Sequence, residues 1–317
     1  MTWLLPLLLE KLKICLKMIV LLLSKVDGPG TNLRRRLRFL KAPNIFQADC
    51  PLVAIDSNGM VIAGNLNALK AMPGQVVFSV DPKVLQPGHL MAMASGMRVV
   101  GSYLGEKFIA PNETLKALCL GVGAGILEQY LSNELGFDVT GVELDENLCA
   151  FIEEFFLSSA SDQPGPWAGV NLLKGCGAME EVAKFALNNN NHKRFDIITL
   201  DITDYDELPG VGACAPPRNF LDQDFFSNLR KILHDNGALI IHVMILDFRF
   251  HLLLLTLLKP FIKVYRVSLG KESEFVLAAS MAGEVLSSDD EDRIEFSKKI
   301  KLMLPGAFNI QLESSRI

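Results

Sequence analysis

The chain has 317 residues, half of them hydrophobic, enough to bury a large core in one big domain or two smaller ones. Its formal net charge of −5 offers no general basic field for nucleic acid, so Arg34-Arg35-Arg36 is read as a solvated face. Six cysteines (Cys15, Cys50, Cys119, Cys149, Cys176, Cys214) lack CxxC or Cys/His metal spacing, which argues against zinc and for reduced core thiols in a cytoplasmic protein.

The first 32 residues carry an apolar segment, "WLLPLLLEKLKICLKMIVLLL", interrupted by Glu10, Lys11, Lys13 and Lys17. No uncharged stretch reaches the roughly 18–20 residues of a membrane span. The segment is read as a packed helix or the ragged start of a truncated chain, with a membrane anchor as the alternative. The turn-rich "DGPGTN" follows, and residues 33–105 then read as a β-rich flank with a helix. Asn58-Gly59 between two apolar runs signals a hairpin, "QVVFSV" another strand, and residues 88–104 a helix. From Thr114 to about residue 283 strands and helices alternate: "LKALCLG", "GILEQYLSNELG", "DVTGVEL", "ENLCAFIEEFFLSS", "VNLLKG", a helix over 178–187, then "FDIITLD". After a long loop come helix "QDFFSNLRKILHDNG", strand "ALIIHVM", helix "RFHLLLLTLLKPF" and a closing hairpin, "KVYRVSL" and "FVLAAS". This alternation predicts an α/β, Rossmann-like sheet, mostly parallel, covered on both faces and ending in an antiparallel pair. The tail, 284–317, is acidic at "SSDDEDR" and read as helical beyond.

Ligands of open α/β sheets sit at the carboxyl ends of the strands. The first strand-to-helix turn carries Gly121, Gly123 and Gly125, with Ile126 where the dinucleotide fingerprint requires its last glycine. The second strand ends in Glu143, an acid placed to accept both hydroxyls of a ribose. S-adenosylmethionine has no pyrophosphate, so a turn glycine-spaced in this way need only admit its amino-acid end. Asp201 ends the fourth strand, with Asp204 and Asp206 following, and a carboxylate there could position an amine or take its proton. The Pro pair of "APP" (215–217) is read as a rigid loop before a helix, and the isolated His89 and His242 as structural, with a place at the border of the pocket as the alternative for His89.

The G-x-G-x-G turn, the acid after the second strand and the terminal hairpin resemble the class I S-adenosylmethionine-dependent methyltransferases, whose sheet has seven strands. Cys119, two places before Gly121 where many members carry an acid, resembles the spermidine-synthase-like branch. "RRRLRFLKAPNIFQADCPLV" (34–53), "HLMAMASGM" (89–97), "VELD" (142–145) and above all the segment 195–233 with "APPRNFL" are similar to the C-terminal domain of the methyltransferase-like protein 13 family. That resemblance covers residues 33–281. It implies S-adenosyl-L-methionine as cofactor and N-methylation of a protein amine, lysine or N-terminal, with translation elongation factor one-alpha as the expected partner. It implies catalytic roles for Asp201 and Asp204 and cofactor contacts from Gly121, Gly123, Gly125, Glu143, Cys176, Gly177 and Asp201. Cys176 stands where relatives carry an adenine-binding Asp, and losing that acceptor is expected to cost about 1–3 kcal/mol. The rival is a polyamine aminopropyltransferase. "DITDY" keeps Asp201 and Asp204 of the pattern D-x-[ST]-D-P but has Tyr205 in place of the proline. A catalytically silent scaffold is the other alternative.

Overall fold

The computed structural model describes residues 22–25, 33–38, 46–55, 61–62, 77–81, 84–86, 88–110, 112–156, 169–188, 195–204, 213–245, 248–271, 273–281 and 312–314. These fall into two compact units, one drawn from Met1–Pro87, Gly123–Ile126 and Glu146–Ala168, the other from Gly88–Val122, Leu127–Asp145 and Gly169–Ile317.

The first unit holds an antiparallel sheet of β1 (Leu22–Lys25), β2 (Leu33–Arg38), β3 (Phe46–Ile55), β4 (Val61–Ile62) and β5 (Val77–Val80), in the order β1-β2-β3-β4 with β5 also on β3. The pairs Ala54↔Ile62 and Ile55↔Val61 bear out the hairpin expected around Asn58-Gly59. Leu22–Lys25, the end of the apolar N-terminal segment, form a strand against β2 rather than the expected helix; residues 1–21 lie outside the described residues. The arginine run is not a solvated face. Strand alternation puts Arg34 and Arg36 on the same side, where both donate to Asp49 Oδ1 at 2.6 and 3.0 Å. Arg34 Nη2 also donates to the Asp49 carbonyl and to Gln86 Oε1. Arg35 points the other way; burial lowers its pKa and pushes the thiol of Cys50, its partner across the strands, up to about 12. The unit also contains an α-helix at Glu146–Phe155, labelled α4 below.

In the second unit the strands are β6 (Lys116–Leu120), β7 (Asp138–Glu143), β8 (Val170–Lys174), β9 (Phe195–Leu200), β10 (Ala213–Ala215), β11 (Leu233–Ile245), β12 (Lys263–Lys271), β13 (Glu274–Ser280) and β14 (Leu312–Ser314). They lie in the order β14-β12-β13-β11-β9-β6-β7-β8, with β10 beside β11. The pairs among β8, β7, β6, β9 and β11 are parallel, and β13 and β12 close the sheet antiparallel. This is the expected seven-strand sheet, extended by the short β10 and β14. The chain leaves β6 toward β7 and β8, then returns to β9 on the other side of β6, so the order reverses at β6.

The helices of this unit are α1 (Gly88–Gly96), α2 (Gly101–Ile109), α3 (Ile126–Gln129, of which Ile126 belongs to the first unit, running on as a π-turn over Tyr130–Glu134), α5 (Ala178–Leu187), α6 (Gln223–Ile232) and α7 (Phe248–Leu257). Alternation along the strands sorts side chains to two faces. Leu118, Leu120, Ile198, Leu200, Leu239, Ile241, Val243, Phe275 and Leu277 share one core cluster with Val182 of α5, Phe225, Phe226 and Leu229 of α6, and Leu254 of α7. On the opposite parity, Asp201, Ile240, His242 and Ala278 face α1. A Cβ added to Gly96 of α1 would stand 3.4 Å from Ala278 Cβ and 3.5 Å from Ile240.

Two expectations for this unit are corrected. The helix predicted over Gln223–Gly237 stops at Ile232, because Leu233 pairs with Phe195 of β9 and the strand resumes register at Ala238↔Ile197 after a bulge. Tertiary pairing overrides the local helical pattern there. In the tail, Leu312–Ser314 form a strand on β12, not a helix; the acidic stretch lies outside the described residues. Of the six cysteines, Cys50, Cys119, Cys149 and Cys176 are free thiols. No helix among the described residues is long and apolar enough to cross a membrane.

The far end of the sheet is fastened by one buried carboxylate. Asp196, at the start of β9, is fully buried and accepts from Tyr103 Oη at 2.5 Å, Lys107 Nζ at 2.8 and 2.9 Å and the Lys116 amide at 2.7 Å. Removing it leaves a half-buried ammonium and two other donors without their acceptor. Asp196→Ala is expected to cost roughly 3–5 kcal/mol in urea unfolding, with nucleoside binding unchanged in whatever fraction remains folded.

Candidate functional site

The site is built at the carboxyl ends of β6, β7 and β9, where the strand order reverses. Gly121 leaves β6 at φ +82, a conformation that a Cβ would strain. Its amide donates to the Val142 carbonyl at 3.0 Å and the Asp201 amide donates to the Leu120 carbonyl at 2.9 Å, so the start of the turn is tied to both neighbouring strands. A Cβ on Gly121 would overlap the Asp201 carbonyl and come within 2.9 Å of Ile202 Cγ1. Gly123 and Gly125, next along the turn, also have positive φ.

Glu143 closes β7 with both oxygens occupied: Oε2 accepts from the Val122 amide and Oε1 from the Asp145 amide, each at 3.1 Å. The carboxylate is thereby fixed in place. Leu144, directly after it, is 70% exposed, an apolar surface beside the acid. Cys176 follows β8; its amide donates to the Glu143 carbonyl at 3.4 Å and its thiol turns to the Lys174 carbonyl at 3.4 Å. Gly177 is the residue before α5. The second unit therefore brings Gly121, Glu143, Cys176 and Asp201 to the same end of the sheet.

Asp201 sits among groups that sequence reading left unconnected. His242 of β11 donates from Nδ1 to Asp201 Oδ1 at 2.8 Å, and His89 of α1 places Nε2 3.3 Å from Oδ2. The two imidazoles stack at 4.3 Å, only 9° from parallel. Glu274 of β13 places Oε1 3.6 Å from His242 Nε2. Burial alone would raise the Asp201 pKa, but the two imidazoles reverse that and hold the carboxyl well below its usual range. Burial likewise would lower His242, yet Asp201 and then Glu274 carry it up to about 9. His242 is therefore an imidazolium at neutral pH, clamped between two carboxylates.

His89, His242 and Glu274 offer ligand atoms within 4.8 Å of one another. Parallel rings, however, aim their in-plane lone pairs along parallel planes, and these do not converge on one ion at about 2.1 Å from each nitrogen. The cluster is a hydrogen-bonded charge network. Asp204 is half-buried just beyond it; Asp206 lies outside the described residues.

Among solved structures, human methyltransferase-like protein 13 in complex with SAH superposes with a TM-score of 0.56 at 20% identity, covering 69% of this chain and 93% of that one. A probable spermidine synthase from Corynebacterium glutamicum also gives 0.56, at 16% identity over 95% of this chain and 88% of the other. The fold is that of the class I methyltransferases. Among curated proteins, the chain is 25% identical over 259 residues to the eEF1A lysine and N-terminal methyltransferase of Xenopus laevis, and 24% identical over 236 residues to that of Homo sapiens. These matches cover 80% and 71% of this chain but 35% and 32% of the relatives, so the chain spans about a third of the length of the proteins it matches. No protein-family profile matches it.

Within this methyltransferase fold, the residues that sequence reading missed as a group are His89, His242 and Glu274. What aligns His242 and Glu274 is strand register, which the sequence does not carry. On β11 the residue opposite Leu200 is Ile241, so His242 is the next step along, level with Asp201. Glu274 sits opposite Met244 two residues further, on the same face as His242. His89, whose segment resembles the family and which is expected at most to border the pocket, reaches Asp201 because α1 packs on this face. Of "APP", Ala215 ends β10 rather than lying in a loop; beyond the prolines a short 3-10 turn over Arg218–Phe220 leads to Asp222, which caps α6 by accepting from the Phe225 amide at 2.8 Å.

Proposed function

We propose that the chain is an S-adenosylmethionine-dependent N-methyltransferase of a protein amine, lysine or N-terminal, with translation elongation factor one-alpha as its substrate and the cytoplasm as its location. The observation that carries the reading is the doubly anchored Glu143 carboxylate beside the positive-φ Gly121 turn, at the reversal point of the sheet. That is an acceptor preset for a ribose diol next to backbone that a ligand can approach closely. The names of the curated relatives support the substrate.

In this reading Glu143 holds the ribose, Leu144 offers a flat apolar contact to the base, and Cys176 and Gly177 border it through backbone groups. Gly121 makes room for the amino-acid end. The cofactor supplies an electrophilic methyl group on a sulfonium. Asp201 and Asp204 position the incoming amine, which must arrive as free base for its lone pair to displace the thioether. Asp201, ionised and gripped by His242, has one orientation available.

The aminopropyltransferase reading keeps one specific support, the likeness to a probable spermidine synthase along 95% of the chain. Incubation of the purified chain with labelled S-adenosylmethionine and elongation factor one-alpha, in parallel with decarboxylated cofactor and putrescine, separates the two. Methylated protein is expected and spermidine is not; spermidine alone would reverse the choice. Glu143→Gln is expected to weaken cofactor binding by about tenfold to a hundredfold in calorimetry, since the amide both loses a charge and turns a donor toward the neighbouring amides. Unchanged affinity would remove Glu143 from the site.

A further inference from the structure

One buried acid lies next to this site without a part in the chemistry above. Glu128, in the first turns of α3, is 2% exposed, and its Oε2 has no hydrogen-bond partner. Its carboxyl meets the thiol of Cys119 on β6, and Cys119 stands in register with Thr199 on β9. Cys119 and Thr199 have the same parity as Asp201, so Glu128 occupies the same face of the sheet, one residue pair below the Asp201–His242 level. A Cβ placed on Gly141 of β7 would stand 2.9 Å from Val122 Cγ2 and 3.8 Å from Glu128 Cγ. Glu128 thus lies close beneath Val122, whose amide holds Glu143.

Two carboxyl groups therefore flank Val122, Glu143 through the Val122 amide and Glu128 from below, while the Asp201 backbone abuts Gly121 and its carboxyl turns to His242 and His89. Burial pushes Glu128 up to about 8, and the charges of Asp201 and Glu143 push in the same direction. The groups facing it from the packed elements are few. Cys119 is kept a neutral thiol by its own burial, Thr199 is uncharged, and Asp201 stays ionised across the neutral range. An empty site thus holds Glu128 mostly as the acid at neutral pH.

We propose that Glu128 makes the nucleoside site discriminate by charge at sulfur: a sulfonium cofactor binds with release of the Glu128 proton, whereas the neutral thioether product leaves that proton in place. The proposal rests on the cofactor reading above. A fixed positive charge bound at this end of the sheet favours the ionised carboxylate and so offsets the burial that keeps Glu128 protonated. The product carries the same amino-acid end and the same nucleoside but lacks that charge. Because the cofactor favours the ionised form, its affinity falls as pH drops below about 8 and levels off above it. Product affinity stays flat over the same range, so acid conditions favour retention of product and alkaline conditions favour its exchange for cofactor.

Isothermal titration of the full chain with S-adenosylmethionine and with S-adenosylhomocysteine, in phosphate and in Tris at pH 7.5, gives the protons exchanged by each ligand. Release of roughly half a proton or more is expected with the cofactor and close to none with the product. The cofactor-to-product affinity ratio is expected to rise roughly tenfold from pH 6.5 to pH 9, and Glu128→Gln is expected to abolish both effects while still binding both ligands. Equal proton release by the two ligands, or release that persists in Glu128→Gln, overturns the proposal and leaves the cofactor reading standing. Failure of the unmodified chain to bind either ligand overturns both. Should Glu128→Gln fail to fold, the comparison of the two ligands on the unmodified chain decides the matter by itself.

Discussion

On the proposed methyltransferase reading, Asp201→Asn is expected to lower the rate of methyl transfer on the order of a hundredfold or more, and to change how stability depends on pH. The second effect follows from His242. In the folded chain that imidazole titrates at about 9, against an ordinary value of 6.5. A raised folded pKa contributes stability that is fully present below about 6.5 and lost as pH climbs through about 9. The gap corresponds to roughly 3 kcal/mol. Asp201 has the opposite sign: its depressed pKa contributes stability above the usual carboxylate range, lost only in acid, so it adds no slope between pH 6.5 and 9. Urea unfolding of the unmodified chain is therefore expected to show stability declining between these pH values. Asp201→Asn removes the principal group that keeps His242 charged. Its deficit relative to the unmodified chain is expected to be large at pH 6.5 and to shrink toward pH 9.5. A deficit that does not vary with pH would mean that the His242–Asp201 pair carries no net charge coupling.

Gly121→Ala is the second large effect, and Gly123→Ala is its internal control. Both glycines have positive φ, +82 and +53. At Gly121 the added methyl also runs into the Asp201 backbone and Ile202, whereas at Gly123 no heavy atom lies within 4 Å of the same position. Gly123→Ala thus carries only the backbone penalty of about 1–2 kcal/mol. Gly121→Ala adds a steric clash between two parallel strands and displaces Asp201 from the site. It is expected to lower stability by several kcal/mol in total, of the order seen for overpacked cores plus strain, and to lose cofactor binding where Gly123→Ala retains most of its stability. Equal thermal midpoints for the two variants would show that the close approach of Gly121 to Asp201 is not maintained in solution.

The contrast between those two glycines marks where sequence reading stops. Both are equal members of a G-x-G-x-G pattern, and the pattern reveals a turn that a nucleoside can approach. Which glycine is irreplaceable depends on the strand lying beside it, and β9 starts only after 74 residues (121–194) and two other strands have followed β6. Strand parity is another case. "FDIITLD" and "ALIIHVM" read as strands of a sheet covered on both faces, which does not say which of their residues share a face. That Asp201 and His242 stand level required the β9–β11 register, which a bulge before Ala238 sets.

The arginine run shows the same limit at the surface. Three consecutive cations read as solvated because nothing nearby in sequence neutralises them. Their partner, Asp49, arrives across the β2–β3 pair, and its single carboxylate takes Arg34 and Arg36 because a strand sends every second side chain the same way. The helix that ends five residues early at Ile232 fails for a related reason. "LHDNG" continues the helical pattern well enough locally, but Leu233 gains a ladder partner in Phe195.

By itself, the sequence determined the alternation of strands and helices, the closing hairpin, the glycine turn and the acid at Glu143, because periodicity and turn chemistry are local properties of the chain. Only the tertiary structure decided that His89, Asp201, His242 and Glu274 form one charge network and that Glu128 lies buried beneath the turn. Burial and neighbouring charge set their protonation, and both depend on residues distant in sequence that the sheet brings within a few ångströms.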